Sequence, residues 1–533
     1  MEFFSGIANG TYSYMEDLAR TRLMLTMESS LLAVIACTLL TYVWATLIWP
    51  RKFEHMRDDA CPLPLPPGTM GCPFIGESLE LCRKGSDFFS ERLKRYGPVY
   101  KTHIFGKPTV RVVGASNVRP VLMGEHHSVS SQWPSSVTQL VGSKALLSLT
   151  GDEHRVVRQT IAAAFTPTIL ATFVPHIQEV TRSHLKRWCE ESEGKGQILA
   201  FPSCQALVGD LFLKVFLGSV RDCSHQQHLL SALHEVSSNL FSVSPCLPGT
   251  GWWKATKAKK ILMDEIRQKM SRSQSETTDS YLRILQDLSQ SECGNGARLN
   301  HHRQVIEDNI IELLIASFAN TPSALCSALL ATGREAEVVD EIEKCLEKHG
   351  LMETSDTGEL ASLTYDLVMK LDYVHRVVLE VLRVFPPAGA GFRMVDKTLE
   401  IGGFQIPKGW RVAFSIRETQ QTTKVFEDPE SFWPDRWLKW NPEEMEATQR
   451  FSYLPFGLGA RSCVGKRLAN LVQAIFLVEL VRHCRWTVLN PRPNILHIPS
   501  TRPADDMPTV FKCREHVSFA SVGHFAVRPT WTD

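Results

Sequence analysis

Ten residues constrain this chain more than any other feature: Phe456-Gly-Leu-Gly-Ala-Arg-Ser-Cys-Val-Gly465. Gly457 and Gly459 permit a tight turn and close approach of the backbone to a planar ligand. Cys463 follows, and a helical pattern begins at about Lys466. A cysteine at a helix N-terminus has its thiolate favoured by the helix dipole and by free backbone N–H groups. That suits a thiolate bound to haem iron, which pushes electron density towards O–O cleavage. Arg461 is placed to pair with a haem propionate, and Phe456 belongs to the same cofactor-binding turn. A cysteine taken alone is usually a small buried hydrophobe; the context overturns that here. The 14 cysteines are irregularly spaced in a chain of 533 residues. They read as reduced thiols facing the cytosol and not as a disulfide framework.

The charge balance, 58 Lys+Arg against 57 Asp+Glu, gives no global reason to expect nucleic acid. No charge occurs from Ser29 to Pro50, and the apolar run Leu31–Trp49 ends in Trp44, Trp49 and Arg51-Lys52. At 1.5 Å per residue it spans about 28 Å, close to a hydrocarbon core, and it closes on an aromatic and basic stop. The positive charges narrowly favour a cytosolic C-terminal body. The sequon Asn9-Gly10-Thr11 is usable if the N-terminus is lumenal. Cys61-Pro-Leu-Pro-Leu-Pro-Pro-Gly68 reads as an extended, semi-rigid spacer. The expected organisation is a lumenal segment (1–28), a transmembrane helix (29–50), a basic and Pro-rich linker (51–68), a catalytic domain (69–518) and a tail (519–533).

The body reads as mainly α with small β-sheets. Lys107–Val113 is a β-type run, and Leu399–Phe414 reads as a hairpin broken at Pro407-Lys408-Gly409. Helical periodicity marks Val174–Glu191, Gln304–Thr332, Glu335–His349, Tyr365–Val384 and Lys466–Cys484. Ser289–Asn300 and Gly350–Gly358 read as loops. No Walker loop or dinucleotide fingerprint is present, so the electron source is expected to be a separate protein.

The Cys463 segment resembles the haem-binding signature of the cytochrome P-450 superfamily. Glu380-Val-Leu-Arg383 resembles that family's helix ion pair, with both charges on one helix face, and Arg436 in Pro434-Asp-Arg-Trp437 resembles its third member. Leu65-Pro-Pro-Gly-Thr-Met-Gly71, Tyr100-Lys-Thr-His-Ile-Phe-Gly106, Gly124-Glu-His126, Ser131-Gln-Trp-Pro134, Asn239-Leu-Phe-Ser242, Ile406-Pro-Lys-Gly-Trp410 and Val478–Trp486 resemble the retinoic acid hydroxylases. The likeness runs from about residue 64 to about residue 511. It implies the mainly helical P-450 fold, haem b with Cys463 as the iron ligand, and an endoplasmic reticulum membrane anchor with the body in the cytosol. It also implies a retinoid acid substrate, and electrons from NADPH through a reductase.

By position, Arg158, Arg393 and Arg461 resemble propionate partners, and His154 stands where many relatives have Trp, with a ring nitrogen able to donate to a propionate. Trp133 and Phe241 resemble pocket-lining aromatics, and Phe318 joins them as a substrate contact. Arg111, on the strand Thr109–Val113, is a candidate partner for a substrate carboxylate. One segment departs from the pattern. Where the retinoic acid hydroxylases have Gly-Gly-x-Glu-Thr-Thr, this chain has Ala316-Ser-Phe-Ala-Asn-Thr321. The acid falls on Ala319 and the proton-relaying Thr on Asn320. Asn320 and Thr321 are the candidate catalytic residues, and Pro322 is expected to kink the helix. Three readings stay open: a retinoid monooxygenase with an altered proton relay, a reductase-independent isomerase or dehydratase of lipid hydroperoxides, and a non-catalytic retinoid- or haem-binding protein.

Overall fold

In the computed structural model, the described residues are 34–39, 44, 49–218, 222–242, 247–271, 280–291, 296–355, 358–422, 425–440, 445–497, 500–515, 517 and 519. The architecture is mainly helical with small sheets. Its axis is the 39-residue helix Gly296–Arg334, about 58 Å long at 1.5 Å per residue. Ile310, Ile311, Leu314, Ile315, Phe318, Leu325 and Leu329 are buried around it, as expected of a helix that is apolar on most sides and sits in the core. Arg303–Arg334 and Ala200–Leu217 are both long and apolar enough to cross a membrane. Both lie inside the fold in the main core: they pack on each other and on Cys223–Ser238, and Ala200–Leu217 also packs on Pro167–Lys195.

The second core lies under a five-stranded sheet whose spatial order is Val99–Ile104, Lys107–Val112, Arg411–Ser415, Ala390–Val395 and Val129–Ser130. Ile104 pairs with Lys107, so Phe105-Gly106 is a two-residue turn, and both residues have positive φ, 51° and 72°, as a twist-matched hairpin turn needs. Lys107–Val112 runs parallel to Arg411–Ser415. Val110 and Val112 point into the core of Val99, Leu122, Ile406 and Trp410; Thr109 and Arg111 alternate to the other face.

Several sequence expectations change. Leu399–Phe414 is not one hairpin. Leu399–Ile401 pairs with Phe404–Ile406 around Gly402-Gly403, both at positive φ, and Pro407-Lys408-Gly409 then carries the chain into the larger sheet. Tyr365–Val384 divides into Tyr365–Met369 and Asp372–Val384, because the break at Lys370-Leu371 lets Leu371 turn into the core. The loop expected at 289–300 is helical up to Ser291 and again from Gly296. The Pro-rich segment is pinned along the body: Gln405 donates from Nε2 to the carbonyls of Cys61 and Leu63, its N–H donates to Pro64 O, and Lys101 N–H to Pro67 O. Trp49 and Phe53 are buried in the sheet core, so the packed body starts ahead of the expected boundary at 69. Of the expected span 29–50, Val34–Leu39 is helical and exposed, and Asn9 lies outside the described residues, as does the tail beyond Phe519.

The helix Asp372–Val384 carries the ion network. Arg383 donates to both Glu380 oxygens at 2.9 Å, and Arg436 Nε donates to Oε1 at 2.9 Å. The Trp433 N–H and Trp437 Nε1 complete five donors on one buried carboxylate. Removing one partner of a buried pair leaves an uncompensated charge and costs about 3–5 kcal/mol. Glu380→Ala is therefore expected to lower the unfolding free energy by about that amount and to reduce haem retention, as read by denaturant unfolding of the holoprotein. A loss below about 1 kcal/mol would show that the network does not hold the fold.

Candidate functional site

Cys463 sits between a 3-10 turn, Gly459–Arg461, and the helix Lys466–His483. Its N–H donates to Phe456 O at 2.8 Å and the Gly457 N–H to Leu454 O at 2.9 Å, which folds the segment into a closed loop. Gly459 has φ 76°, and a Cβ there would lie 2.4 Å from Leu122 O, so only glycine allows the loop to seat on the helix Ala115–Met123. Cys463 is exposed, yet desolvation pushes its thiol up, opposed by the Gly465 N–H, Arg158 and Lys466. A side chain both exposed and desolvated lines an internal space. The opposing contacts are those that favour a thiolate at a helix N-terminus.

Around this loop the structure brings together the four residues expected to meet the propionates. Arg158 Nη2 donates to Ser462 Oγ at 3.0 Å. Arg461 is the most occupied: Nε donates to Glu125 at 2.8 Å, Nη1 to Leu146 O at 3.1 Å and Nη2 to Leu149 O at 2.6 Å, which leaves two of its five N–H groups. Arg393 Nε lies 2.9 Å from the other Glu125 oxygen. Glu125 thus ties two strand and loop arginines together; it was visible in the sequence only as the middle of Gly124-Glu-His126, with no role attached. His154 is buried, and among the described residues its Nε2 has no hydrogen-bond partner. Burial, then Arg461, His126 and Arg158, push its pKa down to about 4, so the ring is neutral at pH 7.

These features test the fit of haem. A buried ring nitrogen without a partner is costly unless something accepts from it. Two guanidinium groups, Arg393 and Arg461, share one carboxylate, Glu125, and Arg158 beside the exposed Cys463 meets only the Ser462 hydroxyl. Carboxylates from a planar ligand would satisfy both deficits, so the donor set fits haem. Arg158, Arg393, Arg461 and His154 would hold its propionates, and Cys463 its iron.

The model of the family Cytochrome P-450 matches residues 66–502. This chain belongs to the cytochrome P-450 family. It is 38% identical to Cytochrome P-450 26A1 of Gallus gallus, covering 91% of this chain and 98% of that one. It is 35% identical to Cytochrome P-450 26B1 of Homo sapiens, over 91% and 95% of the two chains. The solved structure of retinoic acid bound cyanobacterial CYP120A1 superposes with a TM-score of 0.72 at 28% identity, covering 85% of this chain and 100% of that one. The protein is therefore an oxidoreductase of the monooxygenase class whose family implies haem with thiolate ligation and a redox partner.

Two expected contacts lie elsewhere. Arg111 is 3% exposed, donates to Glu418 at 2.6 Å and stands 4.2 Å from the Phe89 ring centroid. Burial alone would raise the Glu418 carboxyl, but Arg111 and Arg417 hold it at about 2. The pair is ionised and commits Arg111 Nη2 to Glu418, while the buried Nε and Nη1 have no hydrogen-bond partner among the described residues. Phe318 is 2% exposed and packs against Gly209 and the His234 ring, on the face of the central helix opposite Ala316. Trp133 and Phe241 are 40% and 53% exposed. On the central helix Asn320 is exposed and Thr321 buried; the 100° step between neighbours puts Asn320, not Thr321, on the open face. The helix runs through Pro322 without interruption.

Cys463→Ala is expected to abolish the red-shifted Soret band of the reduced carbon monoxide complex. Retention of a thiolate-type band in that variant would remove Cys463 from the iron.

Proposed function

We propose that this protein is a haem-thiolate monooxygenase that hydroxylates a retinoid acid with dioxygen and electrons passed from NADPH by a reductase. The substrate class rests on one observation above the others: the likeness to the retinoic acid bound CYP120A1, whose whole length this chain covers. The motifs shared with retinoic acid hydroxylases from about residue 64 to about residue 511 support the same class. When bound, the haem supplies dioxygen activation. The chain's own residues hold the propionates (Arg158, Arg393, Arg461 and His154), supply the thiolate (Cys463), and present Asn320 to the reaction space. Trp133 and Phe241 offer exposed aromatic surface for an apolar polyene, each ring contributing burial at low entropic cost. A second reading, a hydroperoxide isomerase that needs no reductase, is favoured by one feature: Ala319 and Asn320 provide no acid.

We further place the protein on the endoplasmic reticulum membrane, anchored by a single span at 29–50 with the body in the cytosol. The exposed apolar helix Val34–Leu39, the absence of charge from Ser29 to Pro50 and the exposed Arg51-Lys52 that follow support this.

All-trans retinoic acid is expected to shift the ferric spectrum to high spin, and with reductase and NADPH to give a hydroxylated product. No binding and no product, with fast rearrangement of a lipid hydroperoxide in the absence of reductase, would move the protein to the second reading. Deleting residues 1–50 should weaken membrane attachment. It also removes Trp49 from the sheet core, so a modest loss of stability should accompany it, by about 1–3 kcal/mol for one buried side chain. Unchanged flotation with membranes would sink the anchor.

A further inference from the structure

Glu312 is the one acid within the apolar run Ile310–Ile315 of the central helix, and the haem-holding set does not use it. Glu312, Ala316 and Asn320 recur every four residues and so stack on one helical face. Ala316 and Asn320 are exposed and Glu312, Leu313, Ser317 and Ala319 half-buried, while Leu314, Ile315 and Phe318 are buried. An accessible stripe on a core helix lines an internal space. Its position relative to Cys463 follows from a shared loop. Glu312 Oε2 accepts from the Leu147 N–H at 3.1 Å. Arg461, two residues before Cys463, donates to the carbonyls on either side, Leu146 and Leu149. The acid and the guanidinium grip residues 146–149 between them.

We propose that Glu312 holds a proton for the reaction and passes it along the Glu312–Ala316–Asn320 face, in place of the acid that this chain lacks at Ala319. The proposal rests on the monooxygenase reading. Each productive cycle converts RH, O2, NADPH and H+ into ROH, water and NADP+. Glu312 gives up its proton and recovers it from solvent, so it is not consumed. If protons arrive late, the same two electrons and two protons leave with dioxygen as hydrogen peroxide. The small Ala316 side chain leaves room for water between Glu312 and Asn320, which stand about 12 Å apart along the axis. Asn320 Nδ2 donates to Ala316 O at 3.1 Å, which fixes the amide and turns its Oδ1 outward as an acceptor for that water.

The electrostatics agree with this placement. Burial raises the Glu312 carboxyl to about 7 against the Leu147 and Leu146 N–H groups and Arg461, with Asp308 one turn earlier acting in the same direction as burial. Lys144, on the loop that packs against this face, is paired with Glu153 at 2.6 Å. An acid whose pKa lies near the working pH is present in both forms, as efficient proton transfer requires.

The test measures product formed per NADPH consumed, with retinoic acid and reductase, in the parent, E312Q, E312D and E312Q/A319E from about pH 6 to about pH 8. Coupling in the parent should fall as pH passes about 7. E312Q should lie at least about tenfold lower at the acid end, since general acid help is worth roughly 10²–10⁴-fold, and be flat with pH, with peroxide making up the difference. E312D should retain part of the pH dependence, and A319E should restore part of the coupling. A thiolate Soret band in each variant certifies the fold. Independently of turnover, the infrared carbonyl stretch of a protonated carboxyl should titrate near pH 7 in the resting protein and be missing in E312Q. Product formation in the parent with equal coupling in E312Q, or a Glu312 already ionised at pH 6, overturns the proposal alone. A parent that hydroxylates no retinoid overturns the function reading, and the relay falls with it.

Discussion

The Glu380 carboxylate is the interaction on which the haem side of the molecule depends. It is buried, and a buried charge is tolerated only when its lone pairs are met; five donors from Arg383, Trp433, Arg436 and Trp437 meet them. The arginines do not stop there. Arg383 also donates to Pro429 O and Ser431 O, and Arg436 to Glu427 O and Asp428 O, so the irregular segment 427–437 is held by its own backbone carbonyls against the helix Asp372–Val384. From there the order propagates. Trp437 meets Tyr453 ring to ring at 4.7 Å, and the Tyr453 hydroxyl donates to Leu379 O. Gln420 donates to Arg383 O and accepts from the Leu454 N–H. Leu454 O then receives Gly457, at the start of the cysteine loop. The thiol is thus positioned by hydrogen bonds that begin at a single carboxylate.

Glu125 plays the matching role on the other side. Without it, Arg393 and Arg461 would repel across the sheet edge, since like charges at short range in a poorly solvated place cost several kcal/mol. With it, both guanidinium groups are oriented while keeping donors to spare. The cluster still carries more cationic groups than carboxylates, and His154 still lacks an acceptor among the described residues. A site left deliberately short of negative charge is preorganised for a dianionic ligand, because its donors need no reorganisation when that ligand arrives.

What was legible in the sequence was local. The Phe456–Gly465 turn, the Glu380–Arg383 pair and the long helices other than Tyr365–Val384 follow from spacing within a few residues, and the structure realises them. The family and the mainly helical fold followed from those motifs. What was not legible depended on partners distant in sequence. Arg111 reads as an unpaired strand cation until Glu418, 307 residues away, claims it. The Pro-rich segment reads as a free spacer until Gln405 and Lys101 bind its carbonyls. Phe318 reads as a substrate contact, but the helical rotation turns it into the core against Gly209. Glu125 carried a motif match and no role, since nothing nearby in the sequence indicates that two arginines will converge on it.

The altered central helix illustrates why residue identity and helical phase have to be read together. Thr321 supplies the hydroxyl that the pattern asks for, one position late, and one position is enough to bury it. Pro322 removes the N–H that would reach Phe318 O, yet the helix continues, held by the buried apolar residues on its other faces and by Ser323, whose hydroxyl donates to Thr501 O. Packing therefore fixes the phase, and the phase leaves Asn320 and Ala316 facing the open space. An amide can orient water but cannot supply a proton. A proton used there has to come from another group, and the acid on that face is Glu312, about 2.2 turns towards the N-terminus.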